Sequence, residues 1–359
     1  MLFRSELSFT EPEEIFGLTE GLMVELFQEI MGFEIRTPFP RLTYQQAMED
    51  YGSDAPDIRF ELKLKDISDI ASECELRVFN EVVEKGGIVK AICVPGGAEF
   101  SRKELDDLTE FSKIYGAKGM AWIKSNQDGW QSPIGKFFTD VQKKKLEERV
   151  GLNQGDLVLF CADKEKIVYD TLGNLRKEIA RRRGLIDPNE FRFVWVTEFP
   201  LFEYSDEEKS YTSSHHPFTM PDLDDLEKYG DNAPEKIRSR AYDVVLNGVE
   251  LGGGSIRIHR KDIQQKVFSL LNLSNQEIES KFGFLMEALT YGAPPHGGIA
   301  LGFDRIMMFL LKTDSIRDVI AFPKTQKAGC LMTDAPSAVD TEQLDDLHIR
   351  VKASAQQAE

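Results

Sequence analysis

Apolar residues recur at helical spacing from Ile15 and Phe16 through Leu22, Met23, Leu26 and Phe27 to Ile30, which predicts an amphipathic helix. Thr10, with Glu13 three residues on, reads as its cap, and Gly32 as its stop. A second short helix is expected after Thr43, stopping near Gly52, with a turn cluster over 53–57. From 57 to 190 the pattern is that of a separate α+β module. Strands are expected over 87–94, 120–123 and 156–160. Helices are expected over 102–115, capped by Ser101 with Leu105, Leu108, Phe111 and Ile114 on one face, and over 166–183. From 191 the pattern becomes β-rich: strands over 191–196 and 241–246, and a further strand over 249–259 after an Asn247-Gly248 hairpin turn. Short links between these strands predict an antiparallel sheet. Helices follow over 262–272 and from Asp304 to Leu311, the second entered at a glycine-rich turn that points its positive end at a bound anion. The stretch after 336 is polar and reads as a peripheral tail over 337–359.

Composition narrows the class. The 359 residues are 41% hydrophobic and 29% charged, ordinary for a globular protein of two or three domains. No apolar run is long enough for a membrane span and the start is not a signal peptide, so a cytoplasmic location is expected. Four scattered cysteines without CxxC spacing argue for reduced thiols over a disulfide frame or a zinc site. A net charge of −17 repels polyanions at long range and weighs against non-specific nucleic-acid binding. Lys143-Lys144-Lys145 and Arg181-Arg182-Arg183 are the dense basic runs, each a solvated helix face or a phosphate contact.

The candidate chemistry lies in two glycine-rich segments, 248–257 and 294–305. Asp243 and Glu250 are seven residues apart on strands joined by the hairpin turn, so both can face one side with a magnesium ion between them; the alternative is two solvent-facing acids. Arg257 follows Gly252-Gly253-Gly254. Three glycines weaken a strand, and either a ligand lying on the bare backbone or a twisted edge or bulge explains them. Arg305, just after Gly302, is a phosphate clamp or a helix-start arginine paired with Asp304 or Glu287. His215 and His216 lack further His or Cys neighbours for zinc, but suit hydrogen bonding to a small anion. There is no GxxxxGK[ST], no GxGxxG after a strand, no HExxH and no Ser-His-Asp elbow. The residues by themselves describe a magnesium-dependent nucleotide enzyme on an antiparallel sheet.

The stretches 241–259, 291–305 and 319–336 resemble the bacterial aspartyl-tRNA synthetases, and 291–305 resembles the third signature motif of the class II enzymes. Residues 51–57 and 155–164 resemble the bacterial insertion domain, which also occurs in an archaeal tRNA amidotransferase subunit. The resemblance implies an α+β fold: a partial class II antiparallel sheet flanked by helices, with an inserted α+β domain. Residues 1–56 would be a residual part of the catalytic core, 57–190 the insertion, and 191–336 the core with the third motif. It implies L-aspartate, ATP, Mg2+ and tRNA(Asp) as partners and homodimers in the family. Asp243 and Glu250 would hold the metal. Glu250 and the run Gly302, Phe303, Asp304 and Arg305 would bind ATP, with Arg305 on the outer phosphate. Arg257 would grip the aspartate side chain and His215 would help close that pocket; Arg257 and Arg305 would be the catalytic arginines.

The match begins at the end of the second family motif, near Glu6. The anticodon-reading β-barrel, the first motif and the α-phosphate arginine have no counterpart, and Arg4 and Ser5 stand where an acidic pattern is expected. Two expectations compete. One is a working aspartate-tRNA ligase of which this is a truncated form. The other is a catalytically inactive, synthetase-derived module that binds tRNA or a protein. By itself the 359-residue chain is expected to be weakly active or inactive.

Overall fold

The computed structural model describes residues 2–205, 207, 209–230 and 232–352. The described residues divide into two compact units, 2–302 and 303–352.

The first unit opens with β1 (Leu2–Ser8), α1 (Pro12–Met31), β2 (Arg41–Thr43) and α2 (Tyr44–Tyr51). A second sheet and its helices follow: β3 (Leu64–Asp66), α3 (Ser68–Glu73), α4 (Arg77–Glu84), β4 (Ile88–Val94), α5 (Arg102–Lys113), β5 (Ala121–Asn126), β6 (Gly129–Gln131), α6 (Asp140–Val150), β7 (Leu157–Asp163) and α7 (Glu165–Arg182). The chain then returns through β8 (Phe193–Thr197), β9 (Phe202–Ser205), β10 (Ser210–Ser213), α8 (Leu223–Tyr229), β11 (Ala241–Leu246), β12 (Val249–Ile256), α9 (Lys261–Leu270), α10 (Asn275–Ala288) and β13 (His296–Gly302). The C-terminal unit holds α11 (Phe303–Leu310) and α12 (Thr341–Asp346). No helix among the described residues is long and apolar enough to cross a membrane.

The main sheet has six strands in the order β1-β13-β12-β11-β8-β2. Its pairs are antiparallel except the last, where β2 runs parallel to β8. The fold is thus α+β, with antiparallel sheets flanked by helices. On one face α1 buries Ile15, Phe16, Met23 and Phe27, and the Phe16 ring stacks on Trp195 with centroids 4.3 Å apart. Ile30 is exposed, so the apolar stripe stops a turn short of the expected end. The α1 cap is Glu11 and not Thr10: Pro12, which has no N–H to lose, occupies the first helical turn, and Thr10 is buried instead. α2 starts as expected, with Thr43 and Gln46 capping reciprocally.

The second sheet has five strands, β3-β4-β7-β5-β6. β7 is buried on both faces: Leu157, Leu159 and Cys161 join one core and Val158 and Phe160 the other. That is why it reads as a continuous apolar run and not an alternating one. α5 ends at Lys113, so Ile114 falls at the C-cap and is exposed instead of joining the Leu105 and Leu108 face. Arg176 on α7 is fully buried. It donates to the carbonyls of Asp57, Phe60, Glu61 and Leu62 at 2.9–3.2 Å and lies over the rings of Tyr51 and Phe60. It holds the link between α2 and β3 against the helix. The basic run 181–183 is a surface feature: Arg181 and Arg182 pair with Glu178, and Arg183 donates to the Gly96 carbonyl.

Candidate active site

The site is laid out on the main-sheet face opposite α1. Asn247 and Gly248 take φ values of 52° and 81°, the conformation a two-residue hairpin demands, and join β11 to β12. A bulge falls between the Val244↔Gly252 and Val245↔Glu250 pairs, leaving Leu251 as the extra residue. Asp243 lies opposite Gly253, and Gly253 opposite Ala300 of β13. Asp243 and Glu250 therefore share one face, and they line a pocket of about 440 Å³ with Tyr44, Asp54, Phe199, Glu203, His215 and Gly253. A Cβ at Gly253 would run into the Asp243 carboxylate. Gly254 instead faces a β13 carbonyl and the Tyr242 ring. The three glycines thus sit in a central strand: one leaves room for the acid, and its neighbour lets strands and core rings approach closely.

Burial raises the Asp243 pKa and the nearby Glu250 charge raises it further, while a hydrogen bond with His215 opposes both. Burial opposes a charge on His215, but the Asp243 contact (3.8 Å) and the fields of Glu250 and Glu203 outweigh it and raise the His215 pKa. Two crowded carboxylates in a partly desolvated pocket form a place that a dication would neutralise, and the donor set suits a hard cation. No group of three or more metal-type side chains occurs among the described residues. A pair of carboxylates is the set expected of magnesium, which keeps water and phosphate oxygens for the rest of its shell.

Further along the same face stands Arg257. It grips Glu6 with Nε and Nη2 at 3.0 and 3.3 Å, and donates through Nη1 to Ser255 Oγ (2.6 Å) and His216 Nε2 (2.7 Å). An arginine has no acceptor, so His216 Nε2 accepts from Arg257, while Nδ1 lies 3.3 Å from Thr219 Oγ1 and from the Phe218 backbone N–H. Burial, followed by the Arg257 charge, pushes the His216 pKa down to about 4, so this ring is neutral at pH 7. The structure thus places His216 against Arg257 and turns the expected His215 to Asp243. Glu6, Ser255 and His216 were missed as a set. Only the alternation of facing along β1 and β12 hints that Glu6 and Ser255 share a face with Arg257. Beside them a pocket of about 330 Å³ runs from Glu6, His216 and Arg257 to an apolar wall including Phe218 and Leu289.

Gly302 ends β13. Phe303, Asp304 and Arg305 open α11 in the C-terminal unit, and Asp304 sits in that helix's first turn. The glycine-rich segment leading into the helix at Asp304, where a turn is expected, contains a seven-residue central strand, His296–Gly302.

A sheet of this order, carrying an acid pair and a carboxylate-gripping arginine on one bare face, has the form of an aminoacyl-tRNA synthetase core of the second class. The family described as tRNA synthetases class II (D, K and N) matches residues 3–326, and the chain belongs to it. The aspartate--tRNA(Asp/Asn) ligase of Desulfatibacillum aliphaticivorans is 55% identical over 348 residues, 97% of this chain and 58% of that protein. The aspartate--tRNA ligase of Macrococcus caseolyticus is 50% identical over 347 residues, 96% of this chain and 58% of its own length. The chain therefore spans just over half the length of the curated relatives it matches. Among solved structures, an aspartyl tRNA synthetase from Entamoeba histolytica aligns with a TM-score of 0.40 at 19% identity, covering 91% of this chain and 43% of that one.

Proposed function

We propose that the chain carries the aspartate-activating site of an aspartate-tRNA ligase. The observation that supports this most is the placement of Arg257 on the same sheet face as the Asp243–Glu250 pair, with bare backbone at Gly253 and Gly298 between them. Arg257 is built to hold a carboxylate. Its planar fork already takes the Glu6 carboxylate in two-pronged fashion, and Ser255 and a neutral His216 fix its third nitrogen. Glu6 is half exposed, so exchange with the side-chain carboxylate of L-aspartate replaces like with like. A neutral amide in the same fork would lose the charge match, which favours aspartate over asparagine.

ATP would lie along the floor with its phosphates towards Asp243 and Glu250, which would hold Mg2+; a bound Mg2+ would supply charge neutralisation on the phosphate oxygens. Aspartate's α-carboxylate would then attack the α-phosphate, giving aspartyl-adenylate and pyrophosphate, and the terminal hydroxyl of tRNA(Asp) would take the aspartyl group. The share of this chain's residues is positioning and electrostatic complementarity. By the family resemblance, the run from Gly302 to Arg305 is proposed to contribute to ATP binding, with Arg305 on the outer phosphate.

Calorimetric titration of aspartate in the presence of Mg·ATP, paired with aspartate-dependent pyrophosphate exchange, tests this reading. The chain should bind aspartate at least tenfold better than asparagine, and Arg257→Ala should abolish that preference, because a charged two-pronged bond is lost. Equal binding of the two amino acids, or preference retained in Arg257→Ala, would sink the proposal. Binding of tRNA with no response to aspartate or ATP would favour the non-catalytic module.

A further inference from the structure

The second sheet and its helices, from β3 to α7, are joined to the main sheet by two linkers, 52–63 and 183–192. Both linkers reach the same place. The first brings buried Asp57 against Gly248, where an added Cβ would come within 3.0 Å of the Asp57 Cβ. The second brings Glu190 and Arg192 to Asn247. The Asn247 side-chain amide donates to the Glu190 carbonyl at 2.7 Å, and its side-chain oxygen accepts from the Arg192 N–H at 2.9 Å. Asn247 and Gly248 are the two residues between β11 and β12.

Behind the first linker stands α7. Gly173 packs so closely on Gly52 that a Cβ there would overlap the Gly52 carbonyl. One turn on, Arg176 gathers the carbonyls of Asp57, Phe60, Glu61 and Leu62. One helix thus holds the linker at two points, and Asp54 between them lines the acid-pair pocket. The turn carries a load that calls for such support. Glu250 stands two residues beyond it, while Asp243 and Arg257 lie across the bulge at Leu251. The bulge interrupts the ladder, so movement of the turn shifts Glu250 relative to Asp243. Like charges in one pocket repel and spread wherever the turn is loose. Magnesium tolerates little of this, since it demands near-octahedral geometry.

We propose that the second sheet serves the candidate active site as a clamp: through its two linkers it fixes the Asn247-Gly248 turn, and so the spacing of Glu250 from Asp243. Asn247 is then a positioning residue for the dication, acting through Glu250 and touching no ligand itself. The inference rests on the metal reading of the acid pair given above. It assigns a task to a layer whose own strands and helices line none of that pocket.

Asn247→Gly tests this. Glycine adopts the left-handed conformation of the turn as readily, so the turn survives and only the two side-chain bonds to the linker are lost. The probe is Mn2+, an oxygen-seeking stand-in for Mg2+, followed by the EPR signal of the free ion on the 359-residue chain. Asn247→Gly should weaken Mn2+ binding about tenfold, the lower end for outer partners of a metal site. Aspartate affinity, set at Arg257 and read by calorimetry, should be unchanged. Asn247→Asp keeps an acceptor for the Arg192 N–H and loses the donor to Glu190, so it should fall between. Asp243→Asn is the control and should abolish Mn2+ binding. Undiminished Mn2+ affinity in Asn247→Gly, with the control still abolishing it, would overturn this inference alone. Equal losses of Mn2+ and aspartate binding in Asn247→Gly would do the same, being the mark of general destabilisation. Mn2+ binding that persists in Asp243→Asn, or none in the unaltered chain, would overturn the metal reading and this inference with it.

Discussion

His215 and His216 occupy adjacent positions and do opposite things. His215 packs edge-on to Phe199, 4.7 Å between centroids, and turns to Asp243, while His216 turns to Arg257. Sequence identifies a pair of histidines beside an anion site, but which ring faces which charge is set by the Phe199 contact, a tertiary fact. The depressed His216 pKa has a consequence for stability. A free histidine protonates near 6.5 and this one near 4, so in that interval the unfolded chain takes up the proton first. Stability contributed by the neutral ring is present above pH 6.5 and is lost as pH falls towards 4. Urea denaturation across this range should show a shallower loss for His216→Gln than for the unaltered chain. Identical pH slopes would remove the assignment of a neutral ring held by Arg257. Asp243, Glu250 and Arg257 could be picked out because charges on a strand pair that carries a run of three glycines have few structural uses. Their common face depends on strand pairing, which composition does not carry.

At the scale of elements, caps made the helices legible. Ser101 with Glu104, and Thr43 with Gln46, form reciprocal caps where the spacing placed them. Ser274 and Glu277 carry the same signature before α10, yet that helix was passed over, because its apolar residues include exposed Phe284 and do not form a clean stripe. β13 was not read as a strand, because the glycines before Asp304 suggest a turn. In the sheet they serve close packing, and a Cβ at Gly298 would meet the Ser5 carbonyl and the Glu6 carboxylate. Arg176 shows what periodicity hides. A charged residue in a helix pattern reads as surface, but four carbonyls converge on this one and burial lowers its pKa to about 10. Arg176→Met would strand those acceptors, each costing about 1–3 kcal/mol when unsatisfied. A loss of at least about 3 kcal/mol in urea unfolding is expected, with Arg176→Lys less severe. A loss below about 1 kcal/mol would mean that water replaces the guanidinium readily.

For the whole molecule, charge and edge oppose each other. β1 pairs with β13 on one side and ends the sheet on the other, with Leu2 and Phe3 more than half exposed. Such an edge invites pairing with a second copy, while a net charge of −17 resists it. Repulsion weakens as the screening length falls from about 30 Å at 0.01 M salt to about 10 Å at 0.1 M. Sedimentation velocity should therefore show self-association that grows with salt and is reduced in Phe3→Lys. Association that is unchanged in this variant would place the contact elsewhere. The bulge at Leu251 bears on how such a sheet can be edited. Glu250 and Arg257 are an odd number of residues apart, so an uninterrupted strand would send them to opposite sides, with the arginine among Phe16 and Tyr242. The extra residue acts as a frameshift in the alternation: everything downstream changes side, and two charges from incompatible frames come to be read together. A one-residue insertion or deletion between Gly252 and Arg257 would break that frame as surely as it does in a gene.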